Sequence, residues 1–255
     1  MRANYWFWVL LCRFGDQIAL DDGSQPWRSL GLTMCSRETS REGSRHERIW
    51  ETVPEGVDPP DLELRRRFLL ERAAEMAPPA EGPARVLDVG CGEGRLSAAL
   101  ADAGFDVTGL DVAEEPLRRA RALRPELDLR LAPPEGSWPL EDASFDVVWA
   151  GETIEHVADT AGWLSEVRRV LRSRGALLLS TPAHGRALLL SLALRPARFD
   201  SHFDPRSDHL RFYTRRSLTL LLRDFRFESI DVREAGGVIP GARRLLLASA
   251  RRSRF

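Results

Sequence analysis

Val86-Leu87-Asp88-Val89-Gly90-Cys91-Gly92-Glu93-Gly94 reads as a buried apolar strand that runs into a glycine-rich turn, with a helix starting near Arg95. Glycines adopt backbone conformations that other residues avoid, and they let a ligand approach the main chain. A dinucleotide-binding turn would carry G-x-G-x-x-G, but counted from Gly90 its last glycine falls on Arg95. Asp88 stands just before the turn, where a pyrophosphate would be repelled and a ligand carrying an ammonium and a sulfonium attracted. A tight turn with no ligand is the alternative.

Outward from this turn, strand-like runs at Arg85–Val89, Asp106–Leu110, Leu127–Leu131, Phe145–Ala150 and Ala176–Ser180 alternate with helical segments at Leu96–Ala103, Pro116–Arg124 and Thr160–Leu171. Strict alternation predicts a parallel sheet with helices on both faces, an α/β doubly wound fold of the Rossmann-like kind. A lead-in helix is expected to begin at Leu62, capped by Asp61, with Leu62, Leu69, Ala73 and Met76 at helical spacing and Pro78-Pro79 ending it. After the fifth strand the pattern changes. A long segment from Pro182 to Tyr213 precedes a helix over Arg215–Phe225, capped by Thr214, and two strand candidates, Phe227–Arg233 and Arg244–Ala250.

The chain has 255 residues, 43% hydrophobic and 29% charged, with 37 basic against 38 acidic residues and a net charge of -1. These values fit one globular domain with appendages and supply no overall field for nucleic acid. Every basic residue is arginine, so lysine-based mechanisms are excluded. Cys12, Cys35 and Cys91 are too scattered for a disulfide framework or a zinc knuckle, which fits a reducing cytoplasm. The apolar run Tyr5–Cys12 is too short to span a bilayer, which takes about 20 residues. Ser36–Arg48 is polar and charged, so residues 1–48 are expected to form a disordered tail, with Met34 a second candidate start and residues 1–33 dispensable for folding.

A second carboxylate, Asp111 in Gly109-Leu110-Asp111-Val112, follows Gly90 by 21 residues at the end of the neighbouring strand. There it is positioned to accept both hydroxyls of a ribose, or to cap the helix that follows. With these two motifs together, the chain resembles the class I S-adenosylmethionine-dependent methyltransferases, especially the small-molecule branch that includes ubiquinone-biosynthesis type O-methyltransferases. The resemblance covers residues 49–255: a lead-in helix over 49–80 and a cofactor-binding domain over 81–255, with a lid insertion around 183–213.

VLDVGCGEG resembles the family's first motif and LDV its second. Phe145–Asp159 (FDVVWAGETIEHVAD) resembles the fourth-strand motif, and Leu171–Pro182 (LRSRGALLLSTP) the helix-turn-strand after it. The resemblance implies a seven-stranded sheet with its last strand antiparallel. It further implies that S-adenosyl-L-methionine is held by Asp88, Gly90, Cys91, Gly92 and Gly94 at the methionine end and by Asp111 with Val112 at the ribose. Ala150 belongs to the same strand edge, and Glu135 substitutes for the family's usual adenine contact.

The fourth strand would deliver Glu152 and His156 to that edge, four residues apart and on one face if helical. His156 suits deprotonation of a hydroxyl acceptor, with Glu152 orienting the acceptor or cofactor; the alternative is that His156 only packs over the cofactor or caps a helix. His202–His209 (HFDPRSDH) lacks a regular ligand-bearing element and reads as a lid over the acceptor pocket rather than a metal site, with Arg211 and Tyr213 near the entrance. Leu188–Leu194 reads as a core helix, a pocket wall or a membrane-facing patch, leaving peripheral membrane contact open. The sequence therefore predicts a cytoplasmic methyltransferase acting on a small or lipid-like metabolite, with no metal. The alternatives are a non-catalytic cofactor-binding module and a methyltransferase acting on protein or RNA.

Overall fold

The strands β1 (Arg85–Val89), β2 (Asp106–Asp111), β3 (Asp128–Leu131), β4 (Phe145–Gly151), β5 (Leu171–Pro182), β6 (Phe227–Ala235) and β7 (Leu245–Arg252) form one sheet in the order β3-β2-β1-β4-β5-β7-β6. This is seen in a computed structural model that describes residues 46–78, 82–133, 136–205, 207–237 and 244–254. Pairs among β1 to β5 are parallel, whereas β7 runs antiparallel between β5 and β6, as the sequence reading expected. The tail before residue 46, including Tyr5–Cys12 and Met34, lies outside the described residues, as does Glu135.

Helices α1 (Leu62–Met76), α2 (Arg95–Asp102), α3 (Glu114–Leu123), α4 (Thr160–Val170), α5 (Arg186–Ala193), α6 (Pro196–His202) and α7 (Arg215–Asp224) complete the fold. Side chains of a strand point alternately to its two faces, so a strand covered on both sides must be apolar throughout. In β4, Val147 and Trp149 join Phe68 and Leu69 of α1 and Leu96 and Leu100 of α2, while Val148 and Ala150 join Leu164 and Val167 of α4. Two buried layers result, and the apolar run Val147–Ala150 of β4 is their cause.

Helix boundaries follow local chemistry in α7. Thr214 accepts the N–H of Ser217, whose hydroxyl accepts that of Thr214, a reciprocal cap on two otherwise unpaired donors. Asp61 behaves otherwise. It precedes α1 in a left-handed backbone conformation, makes no side-chain cap bond and instead accepts from Arg244 at 3.1 Å. A cap needs an extended backbone to turn the side chain back over the first turn, which Asp61 lacks.

Three further expectations need correction. Residues 46–48, assigned to the disordered tail, begin a helix running to residue 52, anchored where Arg119 donates to the carbonyls of Trp50 and Val53. Leu171–Pro182 contains no helical portion: α4 stops at Val170, and the strand kinks at Arg174, which has a left-handed backbone, before Gly175. Leu188–Leu194 is not a core helix, because on α5 only Leu192 is buried. No helix among the described residues is long and apolar enough to cross a membrane.

Candidate active site

Strand order reverses between β1 and β4, and at such a switch point the loops after the strands diverge and leave a crevice at their carboxyl ends. The glycine turn lies there. Gly90, at φ +72, has no room for a side chain, since a Cβ would stand 2.4 Å from Oγ1 of Thr153, which itself donates to the carbonyl of Val89. Gly92, at φ +54, lies under Trp50 of the leading helix, whose ring a Cβ would meet at 3.0 Å.

Asp111 ends β2 beside this turn. Its Oδ2 accepts the N–H of Gly92 at 2.9 Å and its Oδ1 that of Ala113 at 3.0 Å, which shapes the turn without capping α3: the N–H groups of Glu114 and Glu115 that open that helix are accepted by Glu47 instead, and the remaining lone pairs of Asp111 stay open to a ligand. Asp88 is buried under α2 and accepts from Ser97 at 2.6 Å. Burial pushes the Asp88 carboxyl up to about 7, aided by the charge of Asp111 and opposed by the Ser97 hydrogen bond. Burial raises Asp111 as well.

Other predicted cofactor residues divide by what they offer. Gly94, at φ +71, starts α2. Cys91 turns its side chain away, into a cluster with Leu117, Ala120 and Leu129, leaving only its main chain at the turn. Ala150 is fully buried in β4, and Val112 packs at the edge of the same core.

On the other side of the crevice, Glu152 and His156 do not share a helix face. Only Ile154–His156 forms a turn of 3-10 helix, and Glu152 holds a left-handed backbone at φ 54, strain of a kind found where surroundings over-determine a functional residue. Oε1 of Glu152 accepts from Ser180 of β5 at 2.8 Å. His156 Nδ1 lies 3.0 Å from the carbonyl oxygen of Asp208, so the tautomer that donates this bond leaves Nε2 unprotonated. Burial holds His156 below the ordinary histidine range, against the opposing charge of Asp208.

Glu155 was missed by sequence reasoning. It is buried, its Oε2 accepts from Thr181 at 2.9 Å, and its Oε1 has no partner while standing 4.0 Å from His156 Nε2. Burial pushes its carboxyl up to about 8, with the charge of Glu152 adding to the effect. His209 completes the group, its ring centroid 4.8 Å from that of His156. Glu155, His156 and His209 bring ligand atoms within 4.8 Å of one another, a donor set able to hold a divalent cation or to relay a proton. The available signal was the paired acids and histidine of Glu152-x-x-Glu155-His156; nothing local links them to His209. The main chain makes that link, since Leu210 and Arg211 both donate to the carbonyl of Glu155.

The segment after α6 therefore lies against Glu155 and His156, while Tyr213 is buried and Arg211 is engaged with Thr160 and the carbonyl of Ala158.

Comparison with known proteins matches residues 62–232 to the family model described as "Methyltransferase domain". A Mycolicibacterium smegmatis protein named "Probable S-adenosylmethionine-dependent methyltransferase" is 39% identical over 160 residues, 62% of this chain and 56% of that protein. The ubiquinone biosynthesis O-methyltransferase of Idiomarina loihiensis is 41% identical over 101 residues, 38% of this chain and 42% of the relative. The chain thus spans about half the length of the curated relatives it matches. Among solved structures, an S-adenosylmethionine-dependent methyltransferase from Methanosarcina mazei superposes with TM-score 0.52 at 25% identity, covering 68% of this chain and 94% of that one. With residues 62–232 matched and this sheet order in place, the chain belongs to the methyltransferase-domain family.

Proposed function

We propose that this chain transfers the methyl group of S-adenosylmethionine to an oxygen, nitrogen or carbon of a small or lipid-like acceptor. The observation that carries the reading is the pair Asp88 and Asp111, two buried carboxylates flanking a glycine turn and both pushed up by burial. A phosphate-bearing ligand would worsen that charge imbalance, whereas a ligand with a sulfonium and an ammonium relieves it. S-adenosylmethionine, when bound, supplies an electrophilic methyl on sulfur. The main chain of Gly90 to Gly94 and the free lone pairs of Asp111 would hold it.

The acceptor side has to orient the nucleophile in a water-poor crevice and remove a proton where the acceptor is a hydroxyl. His156 is suited to the second task, because its bond to the Asp208 carbonyl fixes the tautomer and its lowered affinity for protons keeps it neutral near pH 7. Glu155 stands behind it as a second proton site. Glu152, tied to Ser180, orients the acceptor or cofactor. The relative named as a ubiquinone biosynthesis O-methyltransferase puts hydroxyl acceptors first in any search. The scattered cysteines favour a cytoplasmic setting.

Calorimetry with S-adenosylmethionine tests the cofactor half, with proton release near pH 7 expected as Asp88 ionises beside a cation. Formation of S-adenosylhomocysteine against phenols, quinone precursors, amines and sugars tests the transfer. Binding without turnover on any acceptor would favour a non-catalytic cofactor-binding module.

A further inference from the structure

Ten large apolar side chains are exposed among the described residues, and six of them, Leu189, Leu190, Leu194, Phe199, Leu210 and Phe212, fall on α5, α6 and the segment just after. Leu190 and Leu194 are 63% and 75% exposed. Only Leu192 is buried on α5 and no residue is buried on α6, so the two helices pack chiefly on each other. Scattered apolar residues on a surface are ordinary, but these six fall within one stretch of 24 residues, where α5 packs on α6 and Phe203 holds the rings of Phe199 and Phe212 at 4.8 and 5.0 Å, and such a grouping marks something that covers it.

Charge indicates what covers it. Arg186, Arg195 and Arg198 flank the exposed leucines, with Asp200 the one acidic residue on these two helices. Among the described residues no carboxylate pairs with any of the three, and Arg195 reaches only the hydroxyl of Ser191 at 3.4 Å. Local charge is therefore positive on a chain whose total is -1. Apolar residues beside unpaired arginines are the composition of helices that lie in the headgroup plane of a bilayer, where side chains such as Leu and Phe enter the acyl boundary and cations meet anionic lipid.

We propose that α5, α6 and the outer face of Leu210–Phe212 dock on an anionic lipid bilayer. The same segment carries His209 beside His156, so docking sets the acceptor side of the crevice against the lipid surface. An amphiphilic acceptor then reaches the site without crossing water. The docking surface stands on its own chemistry; its bearing on the acceptor rests on the methyl-transfer reading.

The test is sedimentation of the full chain with vesicles of phosphatidylglycerol and phosphatidylcholine, compared with vesicles of phosphatidylcholine alone, at low and high salt. Binding to the anionic vesicles is expected, weakening with salt. Replacing Arg186, Arg195 and Arg198 together by Gln should lower the partition coefficient about a hundredfold, roughly fivefold for each charge. Leu190→Glu with Leu194→Glu should also release the protein, and because both positions are exposed the melting temperature should hold. Absence of binding to anionic vesicles, or binding that these variants retain, overturns the proposal. So does a dimer that Leu194→Glu dissociates while vesicles leave the parent chain unbound, since the surface would then cover a second copy. Calorimetry with S-adenosylmethionine on the same samples separates this outcome from failure of the methyl-transfer reading.

Discussion

The carboxylate of Asp111 accepts the N–H of Gly92 at 2.9 Å, tying the end of β2 to the glycine turn after β1. The residue expected to receive the ribose thus also shapes the turn that would hold the rest of the cofactor. Asp111→Ala should weaken S-adenosylmethionine binding by about 1 to 3 kcal/mol through unpaired groups, and lower the melting temperature as well. Unchanged affinity in the folded variant, measured by calorimetry, would reject this placement of the cofactor.

Gly90 and Thr153 make a second test of the turn. Gly90→Ala meets both a positive φ and Oγ1 of Thr153 at 2.4 Å. Denaturant unfolding should show a loss of about 1 to 2 kcal/mol from the backbone alone, with the clash adding to it. In the Thr153→Ala background the Gly90→Ala cost should shrink toward the backbone contribution; an equal cost in both backgrounds would show that Thr153 does not confine the turn.

His156→Ala is expected to leave cofactor affinity intact and to lower turnover of a hydroxyl acceptor by about 10² to 10⁴-fold. Because burial holds the folded His156 below 6.5, the neutral base persists at pH 7 and the rate of the parent chain should fall only under mildly acidic conditions. Loss of cofactor binding in folded His156→Ala would make this residue part of the cofactor wall. Glu152→Gln separates the remaining roles: losses strongly non-additive with His156→Ala indicate a shared proton pathway, and weakened binding indicates a cofactor contact.

Glu155 should leave a mark on stability. Burial pushes its folded carboxyl up to about 8 from the ordinary glutamate value near 4.5, so between these limits the folded chain holds a proton that the unfolded chain has lost. Stability from this group is therefore full at low pH and declines as pH rises through that window, by up to about 1.4 kcal/mol per pH unit. Glu155→Gln should flatten the decline in melting temperature between pH 6 and 8. An unaltered slope would mean that Glu155 is already ionised in the folded protein.

The sequence by itself determined the strand, glycine turn and helix from Val86 onward, the acid ending β2 and the Thr214 cap, because each depends on apolar periodicity or on hydrogen bonds a few residues apart. Local pattern also suggested a helix face for Glu152 and His156 and a cap for Asp61. Tertiary structure overruled both, through the bond from Ser180 of β5 that holds Glu152 and the Arg244 bond that occupies Asp61. The meeting of Glu155, His156 and His209 was decided only by tertiary structure, since the main-chain bonds from Leu210 and Arg211 to Glu155 depend on how the segment after β5 folds back. The exposure of α5 was decided in the same way. Eight residues rich in leucine can fill a core or leave one, and only the neighbours supplied by the sheet edge determine which.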